Sequence, residues 1–459
     1  MTMTALILAG GQGTRMKSPL PKVLHPVAGR PMIVRAIEGC LQSGVKNIRV
    51  VVGHGQNLVK TVLEPYAIKA YVQEQQLGTA DAVKAADLPS LEGNVLIMNG
   101  DHPLITTADI KSFFADFTAQ NLDLAVFTVE LDQPGEFGRI VRKENKLSSI
   151  VEAKEATAEI LKIKEINTGI YIAKAEVLQK LIPLVKNENS KKEFYLTDII
   201  TLAADFKYKV DAILSKNSDI AHGVNNQIEL ANASQKVYMQ NAEKLMNNGV
   251  IFIDPKTCYI DDTVVIGSGA IVYPGVFIRG KTAIGGFTVL EPNCFIVDSI
   301  IADGVQIKAG SYIEKTVIES QATVGPYARL RPDTTIGKAA HVGNFVEMKK
   351  VKFGAKSKAG HLTYLGDAEI GEDVNIGCGT ITCNYAADKN KYKTIIGDRV
   401  FVGSDSQLVA PVSIGNDAII ASGTTVTKNV PEGSLALART PQVNKEGYAK
   451  KFKKTESGH

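Results

Sequence analysis

The chain has 459 residues, 44% of them hydrophobic and 22% charged, with 52 Lys and Arg against 48 Asp and Glu for a net charge of +4. That length calls for two or three domains, and so even a balance gives no basic stripe for nucleic acid. Five scattered cysteines (Cys40, Cys258, Cys294, Cys378, Cys383) form no zinc or disulfide pattern, which suits a reducing, cytoplasmic setting; the opening "MTMTALILAGG" has no basic leader, and no apolar run reaches the length of a membrane span.

The first half alternates two kinds of segment. Residues 5–9, 47–54, 94–101, 122–131 and 167–173 read as strands, and stretches such as 31–43 and 79–88 as the helices between them. This alternation predicts a doubly wound, mainly parallel α/β sheet. Such sheets bind ligands at the carboxyl ends of their strands. Gly10–Arg15 and Asp101 each follow a strand directly, so both are expected on that rim.

The stretch "ALILAGGQGTRM" (5–16) lacks the third glycine of a dinucleotide fingerprint and the Gly-Lys-Ser/Thr end of a Walker loop. What it has is a glycine cluster, then Arg15, then Lys22. Glycines let backbone N–H groups face phosphate oxygens, and the two cations add charge where a reacting phosphorus gathers negative charge. Asp101, at a strand end, is placed to hold a divalent ion, although "DHPLITTADI" also reads as a loop before a helix. Gln73 offers a base both a donor and an acceptor.

Residues 225–249 carry helix-spaced apolar positions ending at Gly249. Beyond them the period changes. Ile260, Ile266, Val272, Ile278, Ile284, Leu290 and Ile296 fall six residues apart. After one-residue slips the beat resumes through Ile301–Ile313 and Ile318–Met348, and again from Ile396 to Val426. A six-residue period marks a parallel β-helix of hexapeptides. About eighteen residues make one coil rising about 4.8 Å, so residues 251–437 give about ten coils. Residues 383–394 fit no hexad and read as an ejected loop, the kind of place where binding residues gather. His361 lies off the aliphatic register, toward a surface or groove, and is a natural general base.

"LAGGQGTRM" followed by Pro21-Lys22 resembles the signature of the sugar-phosphate nucleotidyltransferases. Together with "EQQLGTADAV" (74–83), "GRIV" (138–141), "EINTGIY" (165–171), "EFYLTDII" (193–200), "HVGNFVEMKK" (341–350), "AGHLTYLGDAEIG" (359–371) and "GTITCNY" (379–385), nearly the whole chain is similar to the family of bacterial bifunctional N-acetylglucosamine-1-phosphate uridyltransferase/glucosamine-1-phosphate N-acetyltransferases. The resemblance implies a Rossmann-like nucleotidyltransferase domain over residues 1–227, a connecting helix over 228–249, and a left-handed β-helix acetyltransferase domain with a basic tail over 250–459.

It also implies site residues. Leu8, Ala9, Gly10, Gly11, Lys22, Gln73, Gly78, Thr79, Asn99 and Gly100 hold the uridine nucleotide, with Arg15 and Lys22 at the triphosphate. Asp101 and Asn225 hold Mg²⁺, and Gly138, Glu152 and Asn167 hold the sugar. In the second half His361 is the base, and Arg331, Lys349, Tyr364 and Asn375 hold glucosamine-1-phosphate. Cys378, Asn384, Tyr385, Ser404, Ser422 and Arg439 hold acetyl-CoA. The implied substrates are UTP, N-acetylglucosamine-1-phosphate, glucosamine-1-phosphate and acetyl-CoA, with UDP-N-acetylglucosamine as product and a homotrimer as assembly. Neither nucleic acid nor membrane is an implied partner. Four departures stand out: Gln12 where relatives usually carry Lys, Cys378 and Ser422 where a small Ala is common, and a loop reading "AADKNKY" after Tyr385. Two other readings share these folds. One is a monofunctional nucleotidyltransferase with a regulatory or oligomerising β-helix, and the other a non-catalytic, translation-factor-like scaffold.

Overall fold

The computed structural model describes residues 3–144, 146–189 and 191–452. They form two compact units divided between Val237 and Tyr238. Among the described residues no helix is long and apolar enough to cross a membrane.

The first unit is built on one sheet of nine strands: β1 (Met3–Ala9), β2 (Asn47–Val52), β3 (Lys69–Val72), β4 (Asn94–Asn99), β5 (Leu124–Glu130), β6 (Arg139–Lys143), β7 (Lys146–Val151), β8 (Glu165–Lys174) and β9 (Val210–Leu214). The order is β9-β5-β8-β4-β1-β2-β3, with the hairpin β6–β7 hung from β8. All neighbours along this path are parallel except β8, which is antiparallel to β4 and β5. Seven helices accompany the chain: α1 (Met32–Ser43), α2 (Gln56–Leu63), α3 (Thr79–Ala85), α4 (Thr107–Ala119), α5 (Ala175–Leu181), α6 (Asp198–Asp205) and α7 (Gln227–Asn247).

Strand alternation feeds two cores. Ala5, Ile7, Leu96 and Met98 pack with Ile33 and Ile37 of α1 and Ile110 and Phe113 of α4. Leu6, Val95 and Ile97 face the other way, onto Val83 of α3, Leu178 of α5 and Ile199 of α6. Because β1 and β4 are parallel and in register, with Leu8 opposite Asn99, the glycine loop and Asp101 leave the sheet side by side. The sequence reading extends the 79–88 helix too far. Asp87 takes φ +58°, and a separate 3₁₀ turn, Leu88–Ser90, holds Pro89, whose ring does not fit a helix interior. Strand β3 and the β6–β7 hairpin are short and mostly polar on one side, and carry no long apolar run to announce them.

The second unit is a triangular β-helix. One face is an eleven-stranded sheet running from Ile251–Phe252 to Leu435–Ala436, and the other two faces share a 17-stranded sheet. Each aliphatic beat stacks on the next: Ile260, Ile278, Ile296, Ile313, Leu330, Met348 and Leu365 are successive register partners. One continuous core fills the prism from Leu245 to Val430. The gap in the aliphatic count between Met348 and Ile396 is not a gap in the fold. Phe353, Ala359, Leu365, Ile370 and Ile376 are buried there in sequence. Thr382 takes the next inward place, its hydroxyl bonded to the Gly366 N–H at 2.7 Å and the Gly366 carbonyl at 3.0 Å. The ejected loop closes on itself, with Tyr385 bridged to Lys391 and the Tyr392 N–H on the Asn384 carbonyl at 2.9 Å. In the same unit Asn241 of α7 caps the first coil, its amide donating to the carbonyls of Ile260 and Asp261 at 2.9 Å each.

Leu330 is fully buried in this stack. Leu330→Ala is expected to cost about 2–5 kcal/mol, the range for a truncated core leucine, seen as a lowered midpoint for the β-helix transition in urea.

Candidate functional site

At the rim of the first unit, a cleft of about 290 Å³ is lined by Leu8, Ala9, Gly10, Gly11, Lys22, Gln73, Gly78, Thr79, Asn99 and Asp101, with Val23, Gln76, Ala82 and Glu193. Nine of the residues expected at the nucleotide thus share one cavity with Asp101, an expected metal ligand. Gly13 turns the loop at φ +63°, and a Cβ there would lie 2.7 Å from Lys22 Cβ, so only glycine lets the loop and the lysine meet. Gln73 is buried, its amide N–H₂ donating to Asp81 at 2.8 Å and to the Gly78 carbonyl at 3.1 Å. Its oxygen is left to accept from a ligand. The 193–200 segment braces this wall. The Phe194 N–H donates to the Leu77 carbonyl at 2.8 Å, and Thr79 Oγ1 accepts from the Leu196 N–H at 2.9 Å. Arg15 is exposed and lines neither this cavity nor the next, and Gly100 is buried with its N–H on the Leu8 carbonyl at 2.8 Å.

A second cavity of about 530 Å³ adjoins the first, and Asn99 and Asp101 line both. Gly138, Glu152, Asn167 and Asn225 line this second half. Asn167 Oδ1 accepts from the Gly169 N–H at 2.8 Å and the Tyr171 hydroxyl at 3.1 Å, so its N–H₂ is the free end. Burial pushes the Glu152 carboxyl above the ordinary range, with Lys191 opposing.

At the seam sits one ion pair. The Lys22 ammonium pairs with Asp101 Oδ2 and donates to Asn225 Oδ1 at 3.0 Å. Burial alone would raise the Asp101 pKa, but Lys22, and after it His102, hold it below the usual carboxylate value. The carboxylate is therefore charged across the neutral range, and the pairing is lost only as the pH falls below that depressed value. Asp101 Oδ1 is buried without a hydrogen-bond partner. A carboxylate and an amide oxygen gathered round one cation, with a carboxylate oxygen to spare, fit Mg²⁺, which takes few protein oxygens and completes its shell with phosphates and water. The amide is aimed by Glu229, which accepts from the Asn225 N–H at 2.7 Å and from its side-chain N–H₂ at 3.2 Å. His102 acts on this carboxylate through space: Nε2 lies 3.6 Å from Asp101 Oδ1, beyond hydrogen-bond reach, while Nδ1 lies 3.1 Å from the Ile220 carbonyl and burial holds the imidazole pKa down.

In the second unit the expected residues fall into two arrays. The residue after each inward position on one face of the 17-stranded sheet gives Arg331, then Lys349 on the next coil. Arg331 donates to Glu347 at 2.8 Å. Lys391 of the ejected loop comes back beside Lys349, and this ammonium, followed by Arg331, pushes the Lys349 pKa below the usual lysine value. Cations crowded at this density await an anion. Tyr364 lies one coil on from Glu347 on the same face, and Asn384 is buried and bonded to Asp367.

The other array runs up the edge of the eleven-stranded sheet. The in-register beats Val342, Ala359, Ile376, Val402 and Ile420 are each followed by a small residue and then by Asn344, His361, Cys378, Ser404 and Ser422. These five therefore stand in one column, and Arg439 closes it by donating to the Ser422 carbonyl at 2.7 Å. Gly343, Gly360, Gly377 and Gly403, with only the methyl of Ala421 at the end, make a nearly bare strip beside them. His361, Tyr385, Ser404, Ser422 and Arg439 are exposed. Asn375 belongs to this sheet, whereas Arg331, Lys349 and Tyr364 belong to the other. One prism thus presents the residues expected at the sugar phosphate on two different faces.

Three contributors escape the sequence reading. Glu229 has a signal in hindsight, the Asn226-x-x-Glu229 start of α7, where Asn226 Oδ1 accepts from the Glu229 N–H at 2.9 Å. Lys391 has none, because its place depends on how the loop folds back. Asn344 is legible only once the coils are stacked.

The Nucleotidyl transferase family model matches residues 4–226, and the Bacterial transferase hexapeptide (six repeats) model matches residues 393–428. The chain is 60% identical over 454 residues to the bifunctional protein GlmU of Bdellovibrio bacteriovorus, covering 99% of each. It is 47% identical over 458 residues to that of Trichlorobacter lovleyi, again over 99% of each. Against that of Carboxydothermus hydrogenoformans it is 44% identical over 450 residues, covering 98% of this chain and all of the relative. With a glycine-looped cleft in one unit, a histidine-bearing column in the other, and relatives matched from end to end, the chain belongs to the bifunctional GlmU family, a nucleotidyltransferase and a hexapeptide-repeat acyltransferase in one polypeptide.

Proposed function

We propose that the chain makes UDP-N-acetylglucosamine in two transfers at separate sites. The first acetylates glucosamine-1-phosphate from acetyl-CoA on the β-helix. The second joins the product to the uridylyl group of UTP in the α/β unit, releasing pyrophosphate. The supporting observation is that each unit holds its own constellation: Lys22, Asp101 and Asn225 at the seam of two adjoining cavities, and His361 in a column with Cys378, Ser404 and Ser422.

For uridylyl transfer, the nucleotide lies along the glycine loop with its base at Gln73. The sugar lies in the larger cavity against Gly138, Glu152 and Asn167. An oxygen of the sugar phosphate attacks the α-phosphorus, the bond to the β-phosphate oxygen breaks, and pyrophosphate leaves. The nucleophile is already an anion, so positioning and charge neutralisation suffice. A Mg²⁺ ion held by Asp101 and Asn225 supplies part of that neutralisation. Lys22, paired with those same oxygens, stands where its ammonium can also meet the triphosphate. Arg15, free and exposed beside the loop, is the second cation.

For acetyl transfer, Arg331, Lys349 and Lys391 take the sugar phosphate, and Tyr364 and Asn375 the sugar. Asn384, Tyr385, Cys378, Ser404, Ser422 and Arg439 take acetyl-CoA. The amine attacks the thioester carbonyl, His361 Nε2 takes the amine proton, and the carbon–sulfur bond breaks to release CoA. Because the residues for one sugar phosphate lie on two faces of a prism, a second copy must lend one of them. A homotrimer of parallel prisms meets that need with three equal sites.

Mixed with glucosamine-1-phosphate, acetyl-CoA, UTP and Mg²⁺, the protein is expected to release both CoA and pyrophosphate. His361→Ala should abolish CoA release and leave uridylyl transfer to N-acetylglucosamine-1-phosphate intact, and Asp101→Ala should do the reverse. A folded variant that loses both activities refutes the two-site division. Lys391→Ala is expected to raise the KM for glucosamine-1-phosphate roughly tenfold, the weight of one charge-assisted hydrogen bond. Co-assembly of inactive His361→Ala chains with inactive Lys349→Ala chains should restore part of the acetyl transfer if sites are shared between copies. No recovery in a verified mixed oligomer places both residues in one chain's site.

A further inference from the structure

His361 is exposed, yet its ring is held. Nδ1 lies 2.6 Å from Asn344 Oδ1. An amide oxygen only accepts, so Nδ1 carries the hydrogen and Nε2 presents its lone pair outward. We propose that Asn344 is a positioning residue for acetyl transfer, fixing the tautomer and direction of the His361 ring without placing a charge beside it. This rests on the reading of His361 as the base.

The backbone makes the contact obligatory. Asn344 and His361 are register partners on neighbouring coils, and the Leu362 N–H donates to the Asn344 carbonyl at 3.0 Å. A Cβ at Gly343 would lie 1.8 Å from the Gly360 carbonyl oxygen, so the two coils approach here more closely than any side chain allows. The side chain one place further along each coil must then meet its counterpart.

The neutrality of the partner matters as much as its position. The titratable group coupled to the ring is His341, one coil back and itself held down by burial and then by Lys308, Lys358 and His361, with the Cys378 thiol on the following coil. Among the described residues no carboxylate is paired with the ring. A carboxylate in place of the amide stabilises the imidazolium and makes the base harder to empty of its proton. The amide orients the ring and leaves it free to accept.

The test is the pH dependence of CoA release by the full-length protein, from about pH 5.5 to about pH 9, across the range where histidine titrates. Asn344→Leu should cut kcat about 100-fold, the scale of a misdirected general base, with KM for both substrates little changed. Asn344→Asp accepts the same hydrogen, so it should keep most of kcat while moving the acid limb of the profile up by about one pH unit. Uridylyl transfer in the same preparations checks folding. An Asn344→Leu enzyme with full kcat, an Asn344→Asp limb that coincides with the parent's, or an Asn344→Asp enzyme as slow as Asn344→Leu each overturns the proposal. His361→Ala separates the two readings. Should it retain acetyl transfer, the base itself is misassigned, and should it lose activity while Asn344→Leu does not, only the role of Asn344 falls.

Discussion

Parallel, in-register backbone pairing is the constraint on which both halves of this chain depend. It places equivalent residues of neighbouring strands side by side, however far apart they are in sequence. In the α/β unit it sets Leu8 opposite Asn99, so the loop after one strand and the aspartate after the other share a rim. In the β-helix it acts coil after coil. Side chains separated by a full turn of the prism become nearest neighbours, and five of them line up with the same orientation. The hydrophobic core maintains the register, since a slip of one residue would turn every inward aliphatic outward.

Charge is handled differently in the two units. At the seam of the two adjoining cavities, Lys22 is paired with Asp101 and Asn225. The carboxylate is thus paired with a cation, which offsets the cost of its burial. On the β-helix, Arg331, Lys349 and Lys391 are crowded at an exposed face where water tempers their repulsion. The buried site pairs its one cation fully, whereas on the β-helix Glu347 answers Arg331 alone and leaves Lys349 and Lys391 facing each other.

Much of this was legible in the sequence because it is periodic or contiguous. The six-residue beat gives the prism, and the glycine loop with Lys22 and Asp101 marks the rim. What stayed hidden depends on tertiary placement. Ala359 and Thr382 occupy inward positions without looking aliphatic, so the beat fades over 349–395, the segment that carries His361 and the ejected loop. Thr382 is tolerated there because its hydroxyl bonds to the Gly366 backbone. Strand β8 gives no hint that it runs against its neighbours, since an apolar run has no direction. Lys391 sits eight places beyond Cys383 in a polar loop, and only the fold of that loop returns it to Lys349. Arg15, prominent in the motif, lines neither cavity.

The triplets Val342-Gly343-Asn344, Ala359-Gly360-His361, Ile376-Gly377-Cys378, Val402-Gly403-Ser404 and Ile420-Ala421-Ser422 divide labour by letter. The first letter anchors the coil, the second keeps the surface flat, and the third alone carries a functional side chain to that edge. The edge of the prism is therefore a row of interchangeable sockets. The chemistry of that edge can thus be rewritten one socket at a time while the anchors beneath stay where they are.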